Sequence, residues 1–222
     1  MPARRAFWGM RWFLWAITLV LAVAVTLVTI FFVVGTGARS SGSAGVSGQE
    51  VLAAKGGPGF VWKAGQKVAP GFSLSDEHGR PISLRRFHGR PVILTFIDPL
   101  CTTFCPLEAG VLDQMLARLP AAQRPAIVSV SVNRLGDDAK AYRHDARAWK
   151  LTGAWHWAVG SQPALGRVWK AYGIGVQVDP KTKDVTHTEA AYLVDRRGYQ
   201  RALYLWPFSA ADLVRGLRSL NG

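Results

Sequence analysis

The chain has 222 residues, 27 of them Lys or Arg against 14 Asp or Glu, a formal charge of +13, and two cysteines in all. A charge of that size points to nucleic acid, anionic lipid or an acidic partner protein. The Arg residues are scattered rather than grouped with stacking aromatics, which sets nucleic acid aside and leaves lipid proximity or partner steering.

Near the N-terminus, Arg4, Arg5 and Arg11 precede residues 12–34, which hold no charged side chain. At ~1.5 Å of helical rise per residue the run is long enough for a hydrocarbon core of about 30 Å. The arginine flank predicts a cytoplasmic N-terminus and an extracytoplasmic remainder, and Trp8, Trp12 and Trp15 gather where indoles favour the interface. The run is longer than the apolar core of a usual signal peptide, although Thr36-Gly-Ala38 would serve for cleavage. The expectation is a single-pass anchor in the cell membrane, with a tail over 1–11 and a span over 12–34. No Cys directly follows the span, so lipoprotein processing is excluded. Residues 35–59, rich in Gly, Ser and Ala, read as a flexible linker with a root-mean-square reach of roughly 25–30 Å. Residues 60–222 make one domain by length, long enough to bury a core.

Within that domain, residues 68–74 and 80–84 read as a hairpin around a polar turn ending in Gly79. Residues 92–97 form a continuous apolar, β-branched strand of the kind buried on both faces. Pro106 is expected to start a helix, where its missing N–H costs nothing, and Leu107, Val111, Leu112, Met115, Leu116 and Leu119 repeat at helical spacing. A second buried strand is expected over 126–132 and a charged amphipathic helix over 137–151. Another helix over 163–172 is closed by Gly173. A strand over 190–194, a turn at 195–198, a strand over 199–205 and a helix over 210–220 complete an α/β domain with a mixed central sheet.

The two cysteines stand four apart in Cys101-Thr-Thr-Phe-Cys105-Pro106, between the 92–97 strand and the following helix. With Cys101 in the turn and Cys105 in the first helical turn, both sulfurs reach one side. The partial positive charge of a helix N-terminus there favours thiolate. Such a pair can hold a soft metal ion, exchange electrons as dithiol and disulfide, or do both. A structural disulfide, or two buried small apolar side chains, is the plainer alternative.

Three features stand together: the Cys-x-x-x-Cys-Pro motif at 101–106, His187, and a Tyr192-Leu-Val-Asp195 strand soon after it. Ala69-Pro-Gly-Phe-Ser-Leu74 and Trp169-Lys-Ala-Tyr-Gly173 support them. In this order of elements the chain resembles the thioredoxin superfamily and, within it, the Sco/SenC family of membrane-anchored copper proteins, over about residues 68–220. The resemblance implies a thioredoxin-like three-layer α/β domain and a copper ion ligated by Cys101, Cys105 and His187. It also implies a redox-active Cys101–Cys105 pair able to form a disulfide, and delivery of copper to the copper-binding subunit of a respiratory cytochrome oxidase. The donor set agrees: thiolates suit Cu(I), imidazole adds a ligand usable by Cu(II), and three ligands leave a position open for handing the ion on. One departure is Val132-Asn-Arg134, where the family commonly carries Asp-Pro.

A thiol–disulfide oxidoreductase that reduces partner cysteines uses the same two sulfurs. Such enzymes usually carry Cys-x-x-Cys and a Pro beside the strand that faces the sulfurs, whereas here the spacing is longer and Pro180 is the nearest Pro before His187. A peroxidase is weaker still, since Leu94 and Asp98 occupy the positions where peroxiredoxins place Pro and Thr before the reactive Cys. Zinc is chemically possible on a Cys₂His set. His78, His88, His144 and His156 read as solvated or packed side chains, Asp98 as a turn former, and Trp149, Trp155, Trp157 and Trp169 as core on helix and loop.

Overall fold

The computed structural model describes residues 57–151, 153 and 155–220. The expected tail and span, and most of the linker, lie outside them. Among the described residues no helix is long and apolar enough to cross a membrane.

In chain order the strands and helices are β1 (Phe60–Val61), β2 (Leu74–Ser75), β3 (Pro81–Ile82), β4 (Val92–Ile97), α1 (Phe104–Ala117), β5 (Ala126–Ser131), α2 (Ala139–Ala148), β6 (Trp155–Ala158), α3 (Gln162–Tyr172), β7 (Val176–Val178), β8 (Val185–His187), β9 (Ala190–Val194), β10 (Gln200–Leu205) and α4 (Ala210–Arg218). Six strands form one sheet in the order β1-β10-β9-β4-β5-β6. The β4–β5 and β5–β6 pairs are parallel, while β4–β9, β9–β10 and β1–β10 are antiparallel, so the sheet is mixed as expected.

All six residues of β4 and of β5 are buried, because helices cover both faces. Alternation sorts the side chains: Ile93 and Ile97 pack with Leu112 and Met115 of α1 and Leu213 of α4, while Leu94 and Phe96 pack with Leu165 and Trp169 of α3. Each such side chain taken from water stabilises by about 1.5–3 kcal/mol. The result is a three-layer sandwich with the C-terminal ends of β4 and β5 free to carry a site.

Local chemistry explains most boundaries. The Asp138 carboxylate accepts from Lys140 and Ala141 N–H at 2.8 and 2.7 Å and starts α2. Ser161 caps α3, and Gly173 ends it at φ 68°, a conformation glycine adopts without strain. Several expectations need correction. The first hairpin is present but its strands shrink to two residues each. Helix α1 begins at Phe104, so Pro106 is its third residue, where an N–H still lacks an intrahelical acceptor. Its buried face is Cys105, Glu108, Ala109, Leu112, Met115 and Leu116, and Leu107 points outward at 58% exposure. Trp155 and Trp157 belong to a strand, β6, rather than to helix or loop. The β7–β8 hairpin that precedes β9 was also unforeseen.

Candidate metal centre

The site forms where β4 stops. The Asp98 carboxylate accepts the Leu100 N–H at 2.8 Å, and its carbonyl accepts the Cys101 N–H at 3.1 Å, which turns the chain out of the sheet. Asp98 is thus a turn former, as expected. Cys101 closes that turn and Cys105 is the second residue of α1. Thr103, at the N-cap, offers no side-chain cap to the helix. In its place the Cys105 N–H donates to Cys101 Sγ at 3.5 Å, with Thr103 Oγ1 3.6 Å from the same sulfur.

The two thiols, both free, are electrostatically unlike. Cys101 is half-buried. Burial pushes its thiol up, but the backbone N–H groups of Cys105 and Thr103 and the Thr103 hydroxyl outweigh it, and the net shift is downward. Cys105 is fully buried. Burial first, then the neighbouring charges of Cys101 and Glu189, push its thiol far above the ordinary value.

His187 arrives from the other side. The β7–β8 register pairs Val176 with His187, and the base of that hairpin is tied by Thr188 N–H to Gly175 O at 3.0 Å and Gly175 N–H to Thr188 Oγ1 at 3.1 Å. Antiparallel pairing of Val92 with Val194 and Leu94 with Tyr192 then carries the start of β9 to the cysteine end of β4. The His187 side chain is 3% exposed. Its Nδ1 lies 3.2 Å from the Thr188 carbonyl. A carbonyl only accepts, so this contact places a proton on Nδ1 and makes Nε2 the nitrogen that binds a metal when the ring is neutral.

Among the described residues, one group of three His, Cys, Asp or Glu ligand atoms draws within 4.8 Å of one another: those of Cys105, His187 and Glu189. Cys101 is not part of that triangle. It lines, with Asp98, Phe104, His187, Glu189 and Trp206, an open cleft of about 560 Å³ beside it. The structure therefore gathers Cys105 and His187 into one cluster and sets Cys101 at the mouth leading to it. Exposed Leu100, Phe104 and Leu107 surround the cysteine turn.

Two acids at this site went unforeseen. Glu108 is fully buried, one turn after Cys105, with no well-aligned hydrogen bond to either carboxyl oxygen and with Glu189 and Thr95 as polar neighbours. Burial, then the charge of Glu189, pushes its carboxyl well up. Burial also raises Glu189, with the charge of His187 pulling the other way. Two cues were available: Glu108 sits on the apolar face of α1, and Glu189 stands two residues after His187, a spacing that shares a face in extended chain. None of the remaining histidines joins the cluster of Cys105, His187 and Glu189, although His144 lines a second pocket that Cys101 also borders. His78 lies 3.6 Å from Glu77, His144 lies 3.0 Å from Asp145, and the His156 ring lies 5.1 Å from that of Phe87.

A family model described as SCO1/SenC matches residues 62–221. Among solved structures, the fold is similar to copper-bound ScoI of Arabidopsis thaliana at TM-score 0.62 and 18% identity, covering 69% of this chain and 98% of that one. It is similar to a SCO1/SenC family lipoprotein of Bacillus anthracis at TM-score 0.62 and 19% identity, covering 70% and 96%. Apo Sco1 of Thermus thermophilus gives TM-score 0.60 and 24% identity over 69% and 91%. A curated relative, chloroplastic peroxiredoxin Q of Oryza sativa subsp. japonica, is 31% identical over 84 residues, so the match spans 38% of this chain and 36% of that protein. With its mixed sheet, thioredoxin-like layering and a family match over nearly the whole described domain, the chain belongs to the SCO1/SenC family.

Proposed function

We propose that this chain is a membrane-anchored copper chaperone. It takes up one copper ion through Cys101, Cys105 and His187 and passes it to the copper site of a respiratory oxidase subunit. The observation that carries the reading is the convergence of the Cys105 sulfur and His187 Nε2 beside the cleft that Cys101 lines, in a chain of this family. The donors fit the cargo: two sulfurs suit a soft ion, and the nitrogen permits the higher oxidation state. The unlike thiols suit transfer. Cys101, half-exposed and the readier thiolate, meets the incoming ion at the mouth, and Cys105 must give up its proton for the ion to settle within. Residues 12–34 serve as the anchor, with the domain held on the extracytoplasmic side.

The full-length chain, purified in detergent with its thiols reduced, should bind one Cu(I) per molecule. Cys101→Ala and Cys105→Ala should each abolish tight binding, as measured by competition with a chromophoric chelator. Equal copper retention by a chain carrying both Cys101→Ser and Cys105→Ser sinks the proposal. For the anchor, the protein should stay in the membrane fraction after an alkaline carbonate wash. A soluble form starting near Arg39 would mark residues 12–34 as a cleaved signal.

A second reading, thiol–disulfide exchange, is favoured by the downward shift of the half-exposed Cys101 thiol. Its thiolate would attack a partner disulfide, and Cys105 would resolve the mixed disulfide, two electrons passing to the partner. His187→Ala separates the readings. It should spare dithiol oxidation while weakening Cu(II) binding far more than Cu(I) binding.

A further inference from the structure

His187 and Glu189 face each other in a way that neither side chain explains alone. With a proton on Nδ1 directed to the Thr188 carbonyl, Nε2 is the ring nitrogen turned to Glu189, and it presents a lone pair whenever the ring is neutral. Glu189 Oε1 stands 3.1 Å from that nitrogen. Nε2 nonetheless has no aligned hydrogen bond, and the other Glu189 oxygen is also buried, with the Glu108 carboxyl for a neighbour. The Cys105 ligand atom completes the triangle within 4.8 Å. Once the Cys105 thiol and the imidazole Nε2 carry no proton, sulfur, nitrogen and carboxylate oxygen are three donors gathered about one point, and a cation bound there satisfies all three.

The spacing suits a shared ion. Two nitrogen or oxygen ligands about 2.0–2.1 Å from one metal, at ordinary coordination angles, stand about 2.9–3.4 Å apart. Glu189 is also held from behind. Its carbonyl accepts the Trp206 N–H at 3.1 Å, which extends the β9–β10 pairing by one bond and fixes its backbone. Glu108, fully buried on α1, interacts with its carboxyl from the protein side. The side chain is 16% exposed and borders the cleft with His187.

Resting on the copper reading above, we propose that Glu189 is a ligand of the copper ion, adding one carboxylate oxygen to the donors of Cys105 and His187, and that this oxygen sets the preference of the site towards Cu(II). A carboxylate is a harder donor than a thiolate, and its negative charge favours the more highly charged ion. Cu(I) is satisfied by sulfur and nitrogen and gains little from it. The carboxylate therefore governs which oxidation state the site holds more tightly.

The test compares the wild-type chain with Glu189→Gln and Glu189→Asp, each full-length in detergent, loaded separately with Cu(I) and Cu(II). Affinities are read by chelator competition and the Cu(II) ligand field by electron paramagnetic resonance. The Gln variant should lose about tenfold or more in Cu(II) affinity, the scale seen when groups that tune a metal site are removed. It should lose less than about threefold for Cu(I), and its Cu(II) spectrum should change. The Asp variant keeps the charge but withdraws the oxygen by one methylene, and should also lose the wild-type spectrum. Wild-type Cu(II) spectra in both variants overturn the proposal, and so does an equal loss of Cu(I) and Cu(II), which marks a merely structural side chain. Wild-type protein that binds neither ion refutes the copper reading itself, a result distinct from either of these.

Discussion

Among the described residues two hairpins stand outside the six-stranded sheet, and both are closed by an aspartate that accepts backbone N–H groups from its own turn. In β2–β3, Asp76 Oδ1 accepts from His78 and Arg80 at 2.9 Å each. In β7–β8, Asp179 Oδ1 accepts from Lys181 at 2.7 Å and Thr182 at 3.0 Å. Their surroundings differ. The Asp76 side chain is fully buried and also meets the guanidinium groups of Arg80 and Arg86, while Leu74 and Ile82 of its strands enter the core. Ser75 and Val159 exchange backbone hydrogen bonds at 2.9 and 2.8 Å, which fastens the hairpin beside β6. The second hairpin is held only near its base, with Val176 and Val185 against the core and Val178 exposed, and it delivers His187 to the metal cluster. The same turn chemistry thus serves stability in one place and ligand placement in the other. Burial decides which.

The largest effect on stability should come from Asp76→Asn. Burial alone would raise the Asp76 carboxyl. The N–H of Arg80, the guanidinium of Arg86, the N–H of His78 and the guanidinium of Arg80 together hold it well below the usual carboxylate range. A carboxyl whose folded value is depressed stabilises fully above its unfolded value, near 4, and loses that contribution as pH falls towards the folded one. Asn keeps the turn's shape but gives up the charge, at a cost of about 1–3 kcal/mol at pH 7. Urea midpoints at pH 7 should show that loss. Below about pH 4 the variant should lose less further stability than the wild type. An unchanged midpoint at pH 7 breaks the view that this hairpin is part of the core.

The same contrast explains what could be read from the chain alone. Strands β4 and β9 were expected at the observed limits, because their residues form continuous apolar runs bounded by turn residues. The close of α3 at Gly173 carries its own local signal. Cys101, Cys105 and His187 stood out by spacing and by the family pattern. Strand β6 was missed because Trp-His-Trp-Ala lacks a β-branched run, and it becomes a strand by pairing with β5 across the intervening α2. Leu107 belongs to the apolar series that repeats at helical spacing, yet the helix turns it outward. The face actually buried includes an acid, Glu108, which hydrophobic pattern alone reads as surface. Glu189 was passed over for a related reason. Its importance comes from the contact with His187 and Cys105, which a hairpin and a strand pairing bring about together.

The smallest effect is expected at Asp179, and it sharpens the comparison. Its carboxyl is held below the usual value by the N–H groups of Thr182 and Lys181. The local turn is therefore supported above the unfolded carboxylate range and loosens as pH falls through the folded value. The group lies in water, where neighbouring solvent replaces a lost hydrogen bond and salt screens the charge. Asp179→Asn should leave the urea midpoint at pH 7 where it was, while amide exchange at Lys181 and Thr182 quickens. Placement of His187 depends instead on the Gly175–Thr188 bonds at the hairpin base, which the substitution does not touch. Copper affinity should accordingly stay within about twofold of the wild type, since surface changes away from a site are close to neutral. If Asp179→Asn lowers the midpoint as far as Asp76→Asn does, the outer hairpin is coupled to global unfolding and the distinction between the two fails.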